Sequence, residues 1–100
     1  MRKVVLSRWA ANKLDKLLEY LEANWSTKVK SQFLDKLTTS LTNLSQFPEI
    51  GQGSEEVSGL RQFVITKQTT LYYRFNDKQL QVVTLFDTRM NPKKLRKEIK

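Results

Sequence analysis

The sequence predicts an α+β domain. An N-terminal strand leads into an antiparallel helical hairpin packed on a small antiparallel sheet, in the order β-α-α-β-β-β, with a short basic C-terminal helix or tail. Three observations predict it. Two apolar stripes of helical period follow one another with only two or three residues between them. All three glycines then fall in one segment, residues 48–59. Beyond that segment the apolar period changes from the helical value to two, the period of a strand. A chain of 100 residues fits one domain, residues 1–100, with a single compact core.

Each element has its own signature. Lys3-Val4-Val5-Leu6 is a short β-forming run. Ser7 is placed to cap a helix, because its hydroxyl can accept an otherwise orphaned backbone N–H. Ala10, Leu14, Leu17, Leu18 and Leu21 then form one stripe, so the first helix covers residues 8–23. Ser26 is the second cap. Val29, Phe33, Leu34, Leu37, Leu41, Leu44 and Phe47 form the second stripe, which Pro48 ends. The outer face of this helix is rich in Thr, Ser and Asn, which are mediocre helix formers, so burial of the leucines must hold it. Trp25 sits at the bend between the helices, and both Trp9 and Trp25 are expected in the core or closing the hairpin.

Residues 48–59 read as a long loop. In the run 60–67, Phe63 and Ile65 fall on one face, Leu60 and Val64 on the other. Residues 70–75 and 80–86 are the next two strands, joined by a turn at Asn76-Asp77-Lys78. Asn91-Pro92 reads as an N-cap followed by an N1 proline, opening the basic helix or tail to Lys100. With helices on one sheet face, the other is at least partly open, and Arg61, Tyr73, Arg74 and Arg89 are expected on or beside it.

Composition excludes several functions. The chain has no cysteine and no histidine. A disulfide framework, a Cys-ligated metal site and any Ser–His or Cys–His nucleophile are therefore ruled out, and no cofactor or metal is implied. The longest N-terminal apolar run, Val4-Val5-Leu6, is too short for a signal or a membrane span, so a cytoplasmic protein without membrane contact is expected.

The net charge of +8 is unevenly placed. Residues 1–59 carry eight Lys/Arg against seven Asp/Glu, a net of +1, whereas residues 60–100 carry ten against three, a net of +7. Such a one-sided field favours a polyanionic partner, nucleic acid or acidic protein.

The chain resembles toxins of the RelE/ParE superfamily. The resemblance is carried by Ser7-Arg8-Trp9-Ala10 with Leu14 and Tyr20, then Asn24-Trp25-Ser26, Phe33, Leu37 and Leu44. Phe47-Pro48, Gly51, Gly59-Leu60-Arg61, Tyr72-Tyr73-Arg74 and Asp87-Thr88-Arg89-Met90-Asn91-Pro92 complete it. It covers nearly the whole chain and lies in the order and spacing of these segments rather than in any single one. It implies the toxin half of a type II toxin–antitoxin pair, held in a hetero-oligomer by an antitoxin whose C-terminal segment wraps it. One branch of the superfamily cuts messenger RNA in the ribosomal A site, and the other poisons DNA gyrase.

The Trp-Ser bend and the long hairpin, residues 8–47, resemble the gyrase-directed branch. That branch also fits the absence of His, Tyr and Phe after Arg89. Nuclease chemistry would need a base for the 2′-hydroxyl, an acid for the leaving oxygen, and positive charge on the phosphorane. Arg61, Arg74 and Arg89 are the candidates for the charge, and Lys67 and Tyr73 for proton transfer. Arg61, Arg74, Arg89, Lys93, Lys94 and Arg96 are equally candidates for docking the antitoxin or the target. Each also has a plainer reading: an edge charge at Arg61, a local Asp87–Arg89 ion pair, and a solvated basic patch after Pro92.

Overall fold

A computed structural model describes residues 1–54 and 59–88. The predicted C-terminal helix or tail, with candidates Arg89, Lys93, Lys94 and Arg96, lies outside the described residues. The elements run β1 (Lys3–Leu6), α1 (Arg8–Asn24), α2 (Thr27–Gln46), a 3-10 turn (Pro48–Ile50), β2 (Gln52–Gly53), β3 (Arg61–Val64), β4 (Thr69–Phe75) and β5 (Gln79–Asp87).

Both predicted caps form. The Ser7 hydroxyl accepts from the Ala10 amide at 2.9 Å and also donates to the Val83 carbonyl at 2.8 Å, so one side chain caps α1 and ties it to β5. Ser26 accepts from the Val29 amide at 3.0 Å. The two stripes meet the sheet in one core of Ala10, Leu17, Leu21, Phe33, Leu37, Leu44, Ile65, Leu71, Tyr73, Leu80, Val82 and Leu85. Leu41 is only half-buried at its rim, so the stripe of α2 is deepest at Leu37 and Leu44. Among the described residues no helix is long and apolar enough to cross a membrane.

The sheet has five strands in the order β1-β5-β4-β3-β2. β3, β4 and β5 form the predicted antiparallel meander. The sheet as a whole is mixed, because β1 lies parallel to β5, with Val4 opposite Leu80 and Leu6 opposite Val82. The segment read as a loop contributes the 3-10 turn and β2, which pairs with β3.

Three aromatic side chains of the helical hairpin lie outside the core. Trp9 and Trp25 are 50% and 58% exposed, and Phe47 is 60% exposed. Trp9 precedes Ala10, and one helical residue is about 100° of rotation, which turns its ring out of the core stripe. Trp25 and Phe47 terminate the two helices, where the chain leaves helical geometry and the stripe no longer governs direction.

A register shift in the β4–β5 ladder changes which residues face the helices. Tyr72 opposes Thr84 while Tyr73 opposes Val82, leaving Val83 as the extra residue of a bulge. Leu71 and Tyr73 join the helix-side core, whereas Tyr72, Phe86 and Leu60 form a second, smaller cluster on the far face. Beyond the bulge, Asp87 is buried, and its carboxylate accepts from the Thr69 hydroxyl at 3.0 Å.

Candidate functional site

Tyr73 organises the end of the sheet below the 3-10 turn. Its ring is fully buried, and its hydroxyl donates to the Pro48 carbonyl and accepts from the Gly51 amide at 3.1 Å. The turn that follows α2 is thereby stapled to β4. Gly51 has ordinary extended backbone angles, so close approach and not conformation demands glycine. A Cβ there would stand 2.1 Å from the Tyr73 hydroxyl oxygen.

Arg61 lies beside this staple. It pairs across the sheet with Tyr73, which puts both side chains on the helix-side face. Its Nη1 donates to the Gly51 carbonyl at 2.9 Å and, more weakly, to the Glu49 carbonyl at 3.4 Å. Its guanidinium also stacks on Phe75, 5.7 Å from the ring centre. Arg2 reaches the same ring at 5.3 Å, and its Nε donates to the Asn76 carbonyl at 2.6 Å. In the strand order, β3 lies on one side of β4 and β1 on the other beyond β5. The two arginines therefore approach Phe75 from opposite directions.

The predicted cluster is thus divided. Arg61 and Tyr73 are not on the open face, because strand pairing places them with Phe75 on the helix side. Arg74 is exposed, opposite Gln81, on the other face. Lys67 is exposed in the turn between β3 and β4, at the far end of that hairpin from Arg61. Nor does Arg61 guard a free edge, since Gly53 of β2 pairs outside it.

Sequence reasoning missed Arg2 and Phe75. Phe75 was visible in principle, because it shares the parity of Tyr73 along β4. No local pattern marks Arg2, whose role depends on β1 lying next to β5.

The environment of Tyr73 sets its chemistry. Burial raises its phenol above the ordinary value of 10.0, against the lowering effects of the Gly51 amide and the Arg61 charge. A phenol raised in the fold stabilises it fully below the unfolded value, and that stabilisation is lost as pH rises through the folded value. Stability should therefore fall with increasing pH in the alkaline range above about 10. Tyr73→Phe should remove part of that alkaline slope. It should also cost about 1–3 kcal/mol near neutrality by stranding the Gly51 amide. Urea unfolding of both proteins at neutral and alkaline pH measures both effects, and identical slopes would contradict the assignment.

Comparison with known proteins agrees with this architecture. Residues 4–92 match the model of the family described as the ParE toxin of type II toxin–antitoxin systems, parDE. The chain is 29% identical over 92 residues to Toxin ParE3 of Caulobacter vibrioides, covering 91% of each protein. Its fold is similar to a structure of the chromosomal ParDE system from P. aeruginosa, with a TM-score of 0.73 at 19% identity, covering 87% of this chain and 96% of that one. It is also similar to the YoeB/ParE toxin from Agrobacterium tumefaciens, with a TM-score of 0.58 at 16% identity, covering 85% and 97%. The family match takes in every described strand and helix except the first residue of β1, and with it the whole staple of Pro48, Gly51, Arg61 and Tyr73: the chain belongs to the ParE toxin family of type II toxin–antitoxin systems.

Proposed function

We propose that this toxin arrests growth by binding DNA gyrase, not by cutting RNA, and that a cognate acidic antitoxin neutralises it in the cytoplasm. The observation that carries this reading is the state of Tyr73. It is the sequence-predicted proton-transfer candidate that stands beside Arg61, yet both its hydrogen-bonding capacities are spent on backbone groups and burial raises its pKa. Cleavage through the 2′-hydroxyl needs a base and an acid placed across the phosphate, each titrating near neutrality. The exposed carboxylate of Glu49 offers at most one of the two. Lys67 stands at the other end of the hairpin. After Arg89 the sequence holds no His, Tyr or Phe. The arginines remain well suited to protein contact. Membership of the ParE family supports gyrase as the target, and similarity to a ParDE system supports the antitoxin.

The reading predicts a specific cellular response. Induction of the chain alone should raise a DNA-damage reporter and cause filamentation while amino-acid incorporation continues through the first minutes. Co-expression of the neighbouring antitoxin gene should abolish both effects. Immediate arrest of incorporation with a silent damage reporter would instead assign the protein to the ribosome-dependent endoribonucleases.

A further inference from the structure

The end of the molecule where α2 finishes carries an unusual surface. Met1, Phe47 and Ile50 are 84%, 60% and 52% exposed there. They are linked through the chain around Phe75. Arg2 donates its backbone N–H to the Ser45 carbonyl, and Met1, Arg2, Ser45, Gln46 and Asp77 line one hollow. The 3-10 turn carrying Ile50 follows at once, and its flanking carbonyls hold Arg61. Exposed apolar side chains on segments that converge on Phe75 offer apolar contact beside the two arginines.

The two arginines are held but not used up. Each guanidinium has five N–H donors. Arg2 spends its Nε on Asn76, and Arg61 spends one N–H-bearing nitrogen, Nη1, on the turn carbonyls. Among the described residues the remaining donors of both are unengaged. Stacking on Phe75 and the carbonyl anchors fix the two planes in advance, which lowers the entropy lost when an anion binds.

We infer that this surface is the anchor for an acidic segment of the antitoxin, with carboxylates on Arg2 and Arg61 and an apolar side chain between them against Phe75, Phe47 and Ile50. The mixture of groups favours a peptide over RNA. Nucleic-acid interfaces are more polar and far more positive. This surface carries exposed Phe, Ile and Met side chains and is bordered by the carboxylates of Glu49 and Asp77. A peptide can place its carboxylates on the two forks and its apolar group between them. A phosphate backbone has no apolar group to offer. The anchor lies on the helix side, on the opposite face of the sheet from Arg74.

The inference rests on the antitoxin partnership and is independent of gyrase. The probe is the purified antitoxin encoded beside this chain, titrated against Arg2→Ala, Arg2→Lys, Ile50→Ser and, on the opposite face, Arg74→Ala. Ile50→Ser removes an exposed side chain, so it tests the surface even where Arg2→Ala disturbs folding. Arg2→Ala and Ile50→Ser should each weaken binding about tenfold or more, Ile50→Ser with unchanged melting temperature, while Arg74→Ala stays within about twofold. Arg2→Lys should recover only part of the loss, because an ammonium lacks the planar fork. Antitoxin affinity within about twofold of the parent in both Arg2→Ala and Ile50→Ser would overturn the inference. So would loss of binding to a single-stranded RNA oligonucleotide with antitoxin binding intact, which would make the surface an RNA site. Supercoiling by gyrase, measured with free toxin, reports on the target separately. If gyrase is unaffected while these affinities fall, the target assignment fails and the anchor stands.

Discussion

Gly51→Ala is expected to destabilise the protein by about 2–4 kcal/mol, combining overpacking with loss of a buried hydrogen bond. The added methyl would meet the hydroxyl of a tyrosine that is fully buried and bonded on both sides. Neither way of relieving the clash is cheap. Moving the ring displaces the core around Leu71 and Val82, and moving the turn breaks the staple and releases Arg61. In a domain of this size, each kcal/mol lowers the melting temperature by about 4–8 °C. The loss should be smaller in a Tyr73→Phe background, because the closest contact, with the hydroxyl oxygen at 2.1 Å, is gone and only the ring carbons at 2.8 Å remain to be relieved. A double-mutant cycle by urea unfolding measures that coupling. Equal effects in both backgrounds would show that Gly51 is required for some other reason.

Leu44→Ala is the second large effect. Leu44 is wholly inaccessible in the last turn of α2 and packs in the main core between helices and sheet. Truncating such a leucine costs about 3–5 kcal/mol, from lost burial and the cavity left behind. Total stability for a domain of this kind is about 5–15 kcal/mol, so the variant should be folded only marginally at 37 °C. Leu41→Ala, at the half-buried rim, should lose roughly half as much or less. α2 carries Thr38, Thr39, Thr42 and Asn43 on its outer face, all weak helix formers, so the helix has little stability apart from this burial. Equal melting temperatures for the two variants would show that the stripe does not face the core as described.

The parts legible in the sequence are those set by local periodicity. Both helices, their serine caps and the three meander strands follow from spacing alone, and the order of elements follows from where the period changes. Contacts between distant segments were hidden. β1 lies beside β5 because the hairpin returns the chain to the starting end, and no short-range pattern records a pairing of residue 3 with residue 79. The bulge at Val83 was hidden as well. Val82 and Val83 are equally apolar, so the sequence does not show which of them turns away from the helices, or that Asp87 beyond them is buried.

The candidate site shows the same division. Arg61 was visible as a charge at the start of a strand. Its partners were not, because Glu49, Gly51, Tyr73, Phe75 and Arg2 meet only through the sheet order and the 3-10 turn. A phenol is titratable, and by sequence that alone makes Tyr73 a proton-transfer candidate. Its burial and its two backbone partners make it a structural residue. Its proper signal was the pattern Pro48-x-x-Gly51 joined to a tyrosine in a later strand, a pairing that only the fold reveals.

The most direct test of the functional reading uses purified components. Toxin freed from its antitoxin is added to gyrase with relaxed plasmid, and to translating ribosomes with a defined messenger RNA. The account predicts inhibited supercoiling with accumulation of cleaved DNA, reversed by antitoxin, and a primer-extension pattern on the messenger RNA identical to that without toxin. Codon-phased cleavage that disappears in Arg61→Ala, with gyrase fully active, would contradict it.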